Sequence, residues 1–164
     1  MKKLTTIILA AGKGTRMNST LSKVLHPIAN QSMLSHVVDT SKKLNSDKII
    51  IVVNKDFKIP KIKADSKIIY VIQKNQLGTG DAIKSCLKNI DKNNNKVLVL
   101  YADVPLINTS TLSKLINLRF KNEVKILAFK KTEENNYGKL MIKNSLVEKV
   151  IEAKEFKTRN QPID

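Results

Sequence analysis

Four short runs dominated by aliphatic and β-branched residues constrain this chain most: residues 4–10, 48–53, 67–72 and 97–101. None alternates apolar with polar residues along its length, so each reads as a strand buried on both faces. Between and after them the spacing becomes helical. Met33, Leu34, Val37, Val38 and Leu44 predict a helix over 32–44. Ala82, Ile83, Cys86, Leu87 and Ile90 predict a second, opened by the Gly78-Thr79-Gly80 turn with Thr79 as its cap. Leu112, Leu115, Ile116 and Leu118 predict a third, started by Thr109 or Ser110. Strands alternating with helices imply an α/β fold, a mostly parallel sheet with helices on both faces. Later strands are expected over 124–129, 139–142 and 147–151. Residues 11–30 read as a loop, 55–65 as irregular, and 157–164 as a polar tail.

The chain has 164 residues, enough for one domain or part of a larger one. Its single Cys86 excludes an intramolecular disulfide, and no Cys/His cluster suggests zinc. The apolar stretch 7–11 is too short to span a membrane. It is followed at once by Gly12-Lys13-Gly14, with no small-x-small cleavage site, so a cytoplasmic protein is expected. The formal charge of +16 invites a nucleic-acid reading. However, only Arg16, Arg119 and Arg159 are arginines, and the lysines are dispersed and seldom interleaved with aromatics. No specific nucleic-acid reader is expected, since bidentate base contacts favour arginine. The charge would still attract small anions.

Open parallel sheets bind ligands beyond the carboxyl ends of their strands. That rule selects three loops: 11–23, 73–80 and 101–106. The first contains Ala10-Ala11-Gly12-Lys13-Gly14-Thr15-Arg16-Met17. The spacing of a Walker loop is absent. The dinucleotide fingerprint needs glycine where Met17 stands. What remains is a small-residue turn whose backbone can approach phosphate oxygens, with Arg16 and Lys23 as nearby cations. Asp103, just past a strand, is placed to hold a hard divalent cation such as Mg²⁺, which takes carboxylate and phosphate oxygens. The bland alternative for Asp103 is a turn aspartate before Pro105.

Leu9-Ala10-Ala11-Gly12-Lys13-Gly14-Thr15-Arg16-Met17 followed by Lys23-Val24-Leu25-His26-Pro27 resembles the signature of sugar-phosphate nucleotidyltransferases. The order of further motifs resembles most closely the uridylyltransferase domain of the bacterial bifunctional N-acetylglucosamine-1-phosphate uridylyltransferase/glucosamine-1-phosphate acetyltransferase family. These are Gln73, Gln76-Leu77-Gly78-Thr79-Gly80, Tyr101-Ala102-Asp103-Val104-Pro105-Leu106, Tyr137-Gly138 and Val150-Ile151-Glu152. The resemblance implies a Rossmann-like sheet of the nucleotide-diphospho-sugar transferase type over residues 1–164. It also implies Mg²⁺-dependent coupling of UTP to N-acetylglucosamine 1-phosphate, with release of pyrophosphate.

By this resemblance Arg16 and Lys23 are the catalytic cations and Asp103 is the metal ligand. Leu9, Ala10, Ala11, Gly12, Gly14, Lys23, Gln73, Gly78, Thr79, Tyr101, Asp103, Gly138 and Glu152 bind substrate. Gln73 would read the uracil edge, and Gly138 and Glu152 would lie beside the sugar. From the residues alone, the favoured readings are an exposed Gln73 and a packing Tyr101, and Glu152 is equally an exposed acid at a strand end. His26 is read as structural and Cys86 as core.

The sequence departs from the family pattern in three respects. Ala102 replaces a common glycine, and its methyl is expected to crowd the nucleotide if the backbone approaches closely. Asp81 replaces a frequent histidine and is expected to suit the helix dipole while repelling phosphate. The chain also stops before the family's second metal ligand and its left-handed β-helix acetyltransferase domain. An incomplete uridylyltransferase domain is therefore expected, with no trimer formed through that β-helix. The alternatives are another nucleotidyltransferase, such as a molybdenum-cofactor guanylyltransferase-like enzyme, or a nucleotide-binding fragment with little or no activity.

Overall fold

A computed structural model describes residues 3–12, 14, 17, 19–60, 65–91, 95–117, 123–130 and 137–151. The chain divides into two compact units, Met1–Ile126 and Leu127–Asp164. The first contains β1 (Lys3–Leu9), β2 (Pro27–Ile28), β3 (Gln31–Ser32), α1 (Met33–Lys43), β4 (Lys48–Val53), β5 (Ile68–Ile72), α2 (Thr79–Ser85), β6 (Asn95–Tyr101) and α3 (Thr109–Leu115). The second contains β7 (Lys139–Lys143) and β8 (Leu146–Ile151).

Four strands of the first unit form one parallel sheet in the order β5-β4-β1-β6. Their uninterrupted aliphatic content has a direct cause. Successive side chains point to opposite faces, and along the central strands β1 and β4 both faces are covered. At the edges the expectation fails, since β5 is half buried and β6 exposes Val97 and Tyr101. Ile8, Ile49, Ile51, Leu98 and Leu100 pack with Leu34, Val37 and Val38 of α1 and Leu112 of α3. Ile7, Ile50 and Val52 pack instead with Ala82 of α2 and Cys86. Each fully buried side chain of this kind contributes about 1.5–3 kcal/mol relative to an exposed one. The expected parallel sheet with helices on both faces is therefore present.

Helix α1 starts where Ser32 accepts a hydrogen bond from the Ser35 amide at 3.1 Å. Its last turn carries Lys42 and Lys43, and Asn45 at φ +55 follows its end. The start of α2 differs from expectation. Gly78 occupies the cap position at φ +108, and Thr79 is the first helical residue, with no side-chain capping bond. That φ is one that side chains with a Cβ rarely adopt, so glycine rather than threonine makes the turn. Asn108 caps α3 by accepting from the Ser110 amide at 2.8 Å.

Three further expectations change. Residues 11–30 are not all loop. They include a 3-10 turn at Lys23–Leu25 and the first strand of a two-residue hairpin, β2 with β3, turned by Ala29 and Asn30 at φ +48 and +64. The second helix is shorter than its apolar spacing, and Leu87–Asn89 form a separate 3-10 turn. Residues 124–129 are not a strand: Val124 and Phe129 are exposed. A strand needs a neighbour for its backbone groups, and among the described residues none pairs with this segment. Leu118, Arg16 and Glu152 lie outside the described residues.

In the second unit β7 and β8 pair antiparallel, with Asn144 and Ser145 at φ +50 and +62 making the tight turn between them. Among the described residues no helix is long and apolar enough to cross a membrane.

Candidate active site

The four parallel strands end at one edge of the sheet, and their register carries on past the last strand residues. The Ala10 amide donates to Val52 O at 2.8 Å, the Ala102 amide to Leu9 O at 3.1 Å, and the Gln73 amide to Val53 O at 2.8 Å. The loops after β1, β5 and β6 therefore leave from a common level. From β1 the chain runs outward to β4 and β5, then returns to place β6 on the other side of β1. The crevice between β1 and β6 is the topological switch point, where sheets of this kind accept ligands.

One ion pair spans that crevice. Lys23 Nζ lies 2.9 Å from Asp103 Oδ2, joining the loop after β1 to the loop after β6 across 80 residues of sequence. Both side chains are partly open to solvent, at 41% and 38% exposure. Gly14 fixes the path of the first loop beneath Lys23. It sits at φ +58, and a Cβ there would meet Lys23 Cβ at 3.1 Å. The 3-10 turn that begins at Lys23 buries Val24 in the core, which leaves the lysine on the opposite, open side.

Two side-chain amides join the loops after β4 and β5 to the loop after β1. Gln76 Nε2 donates to Ala11 O at 3.1 Å, and Asn54 Nδ2 approaches the same oxygen at 3.5 Å. Gln73 is buried, contrary to the exposed alternative. Its Nε2 donates to Gly78 O at 3.1 Å and to Asp81 Oδ2 at 2.8 Å. Asp81 is thus engaged by an amide rather than standing alone as a charge.

The other expected positions fall as follows. Leu9 ends β1; Ala10 and Ala11 are buried, so they present backbone rather than side chains to the cleft. Gly12 is exposed with open space around it. Tyr101 is about half exposed at the end of β6, so it is not a core-packing residue. Ala102 is fully buried in the core cluster that includes Val24, Leu34 and Val37. Its methyl fills the core instead of crowding a ligand. Gly138 precedes β7 in the second unit. Arg16 and Glu152 are outside the described residues. His26 Nε2 is buried without a hydrogen-bond partner among the described residues, as is Ser22 Oγ.

Among the described residues there is no group of three or more His, Cys, Asp or Glu able to hold a metal ion. Asp103 is a single carboxylate, and it already has an ammonium group on one oxygen. Its donor chemistry suits a hard cation that takes most of its remaining oxygens from phosphates and water.

The sequence signals missed Asn54 and gave no role to Gln76. Asn54 follows β4 and Gln76 follows β5 at the ligand edge, and both act on a backbone carbonyl, an interaction that leaves no periodic trace. Position at the end of a strand was the usable signal for Asn54.

A parallel sheet with charged and amide groups converging at its switch point is an arrangement that accepts ligands at that edge. The family model for the MobA-like NTP transferase domain matches residues 6–160, and the chain belongs to that family of nucleotidyltransferases. The chain is 39% identical to the bifunctional protein GlmU of Wolbachia pipientis wMel over 162 residues, 98% of this chain and 37% of that relative. It therefore spans well under half the length of the relative it matches. Among solved structures, 4-diphosphocytidyl-2C-methyl-D-erythritolsynthase from Anaerococcus prevotii aligns with 20% identity and TM-score 0.64. That alignment covers 99% of this chain and 80% of the other. Rv0371c from Mycobacterium tuberculosis, in complex with manganese, aligns with 16% identity and TM-score 0.51, covering 70% and 58%. At these identities the structural likeness is one of fold.

Proposed function

We propose that this chain is the nucleotide-binding part of a uridylyltransferase that joins UTP to N-acetylglucosamine 1-phosphate. In the reaction an oxygen of the sugar phosphate attacks the α-phosphorus of UTP. A new P–O bond forms, the bond from the α-phosphorus to the bridging oxygen breaks, and pyrophosphate leaves with the electron pair. Attacker and target are both anions, so the site must first offset charge and hold the line of attack.

The Lys23–Asp103 pair across the switch point is the observation that supports this reading most. Lys23 supplies a movable cation for the phosphates, and Arg16 adds a bidentate one from the same loop. Asp103 would hold Mg²⁺, which when bound supplies positive charge to the phosphate oxygens. The backbone at Leu9, Ala10, Ala11, Gly12 and Gly14 forms the floor beside the phosphates. Gln73, with Gly78 and Thr79, receives the base, and Tyr101 borders the cleft. Gly138 and Glu152 are assigned to the sugar. No covalent intermediate is required, so no nucleophilic side chain is needed.

The test is pyrophosphate release by the purified chain with Mg²⁺, N-acetylglucosamine 1-phosphate and each nucleoside triphosphate in turn. Release with UTP alone supports the reading. Saturable UTP binding without turnover would reduce it to nucleotide binding. A preference for GTP or CTP would move the chain to another nucleotidyltransferase, an arm that the MobA-like family match makes necessary.

A further inference from the structure

The amide of Gln73 has one side that donates and one that accepts. Its two neighbours, Gly78 O at 3.1 Å and Asp81 Oδ2 at 2.8 Å, are both acceptors. Flipping the amide would place Oε1 against two oxygens, one of them charged, so Nε2 must face them. Oε1 is then turned away from both. The Gly78 carbonyl alone is a neutral partner, whereas a hydrogen bond to the Asp81 carboxylate is charge-assisted and markedly stronger. The Gln73 side chain is buried, which removes water as a competing partner for Nε2.

An acceptor oxygen at a base site pairs with a ring N–H. Uracil offers N3–H on its pairing edge, whereas cytosine offers an unprotonated nitrogen. We propose that Asp81 is a positioning residue that locks Gln73 with its oxygen free, and thereby selects uracil over cytosine. This rests on the uridylyl reading above. It also gives Asp81 a role different from the expected repulsion of phosphate: its charge is spent on an amide beside the base.

The experiment is calorimetric titration of the whole chain with UTP and with CTP in the presence of Mg²⁺, for the wild type, Asp81→Asn, Asp81→Glu and Gln73→Ala. The wild type should favour UTP by at least about tenfold, since a site built around one hydrogen bond rejects the analogue that cannot make it. Asp81→Asn can present an N–H to the flipped amide. The preference should fall by about fivefold or more, mostly through weaker UTP binding. Asp81→Glu should recover part of it, and Gln73→Ala should abolish it. If Asp81→Asn keeps the wild-type ratio while Gln73→Ala loses it, Asp81 does not set the orientation, and the uridylyl reading survives alone. A wild type indifferent to UTP and CTP would remove both. A measurement on the unmutated protein guards against variants that fail to fold. Both side-chain amide protons of Gln73 should exchange slowly with solvent by NMR, and exchange at the rate of a free glutamine side chain would overturn the lock.

Discussion

The two halves of the ligand edge are built from different materials. On the β1–β6 side stands an exposed ion pair, Lys23 with Asp103. On the β4–β5 side stand amides: buried Gln73 on Gly78 and Asp81, and Gln76 and Asn54 on Ala11. An exposed pair contributes about 0–1 kcal/mol, whereas a hydrogen bond to a charged group contributes about 1.5–3 kcal/mol. The amide half can therefore hold its shape without a ligand. The charged half can exchange partners at little cost, which is what a site for triphosphate and metal requires. Under the proposed reading, phosphate chemistry falls to the weakly held half and base recognition to the rigid half.

That division is broken most directly at Asp103. Asp103→Asn keeps the shape and removes the charge. It should lower metal-dependent pyrophosphate release by about 100-fold or more, the scale of a lost electrostatic contact in the transition state. The melting temperature should stay within about 2 °C, because an exposed pair adds so little to stability. Unchanged rates would end the metal role of Asp103, and a large drop in melting temperature would show that this half is structural after all.

Lys23→Met sharpens the same contrast. It keeps most of the apolar stem and removes the ammonium. UTP binding should weaken by about tenfold, roughly 1.4 kcal/mol, with stability again almost unaffected. Binding unchanged within twofold by calorimetry would mean that Lys23 serves only to neutralise Asp103.

The parts of the molecule that the sequence made legible are those where one physical force acts alone. The aliphatic runs of β1 and β4 are buried on both faces as expected, whereas edge strand β5 is only half buried and β6 buries Leu98 and Leu100 while exposing Val97 and Tyr101. The spacing of Leu34, Val37 and Val38 fixes the buried stripe of α1. The rule that ligands gather beyond strand ends brought Ala11, Lys23, Gln73 and Asp103 to one edge before any contact was known. Where several forces compete, reading failed. The β2–β3 hairpin is too short to carry a period, and its turn uses Ala29 at positive φ, a residue with no turn signal. Residues 124–129 have strand composition but no pairing strand among the described residues. Ala102 was read by its proximity to a ligand, when its side chain points into the core. The orientation of Gln73 depends on Asp81 eight residues later, a pairing that neither residue reveals by itself.

The amide half makes the opposite prediction from the charged half. Gln76→Ala removes the donor to Ala11 O, leaving Asn54 at 3.5 Å as the remaining partner. Stability should fall by about 1 kcal/mol, or about 2–4 °C in melting temperature for a chain of this size. Turnover per folded molecule should change less than in Asp103→Asn. If Gln76→Ala leaves the melting temperature untouched but lowers UTP binding, Gln76 contacts the ligand and does not hold the loop.

The smallest effect is expected at the core behind the amide half. Cys86 is fully buried against Ala82, Ile7 and Ile50, and this burial pushes its thiol pKa above the ordinary range. The unfolded chain therefore loses the proton first as pH rises. By linkage, this thiol's contribution is fully present below the ordinary thiol range, about pH 8.5, and declines above it. A thiol reagent should leave the native protein unmodified at pH 7.5 and label it completely in denaturant. Cys86→Ser at that site places a hydroxyl in an apolar layer, yet Ala82 O, 3.5 Å from Sγ, is available as an acceptor. The alkaline decline in stability should be shallower in that variant than in the wild type. Rapid labelling of the native protein would show that the α2 side of the sheet opens readily, and the amide half would then be no more rigid than the charged one.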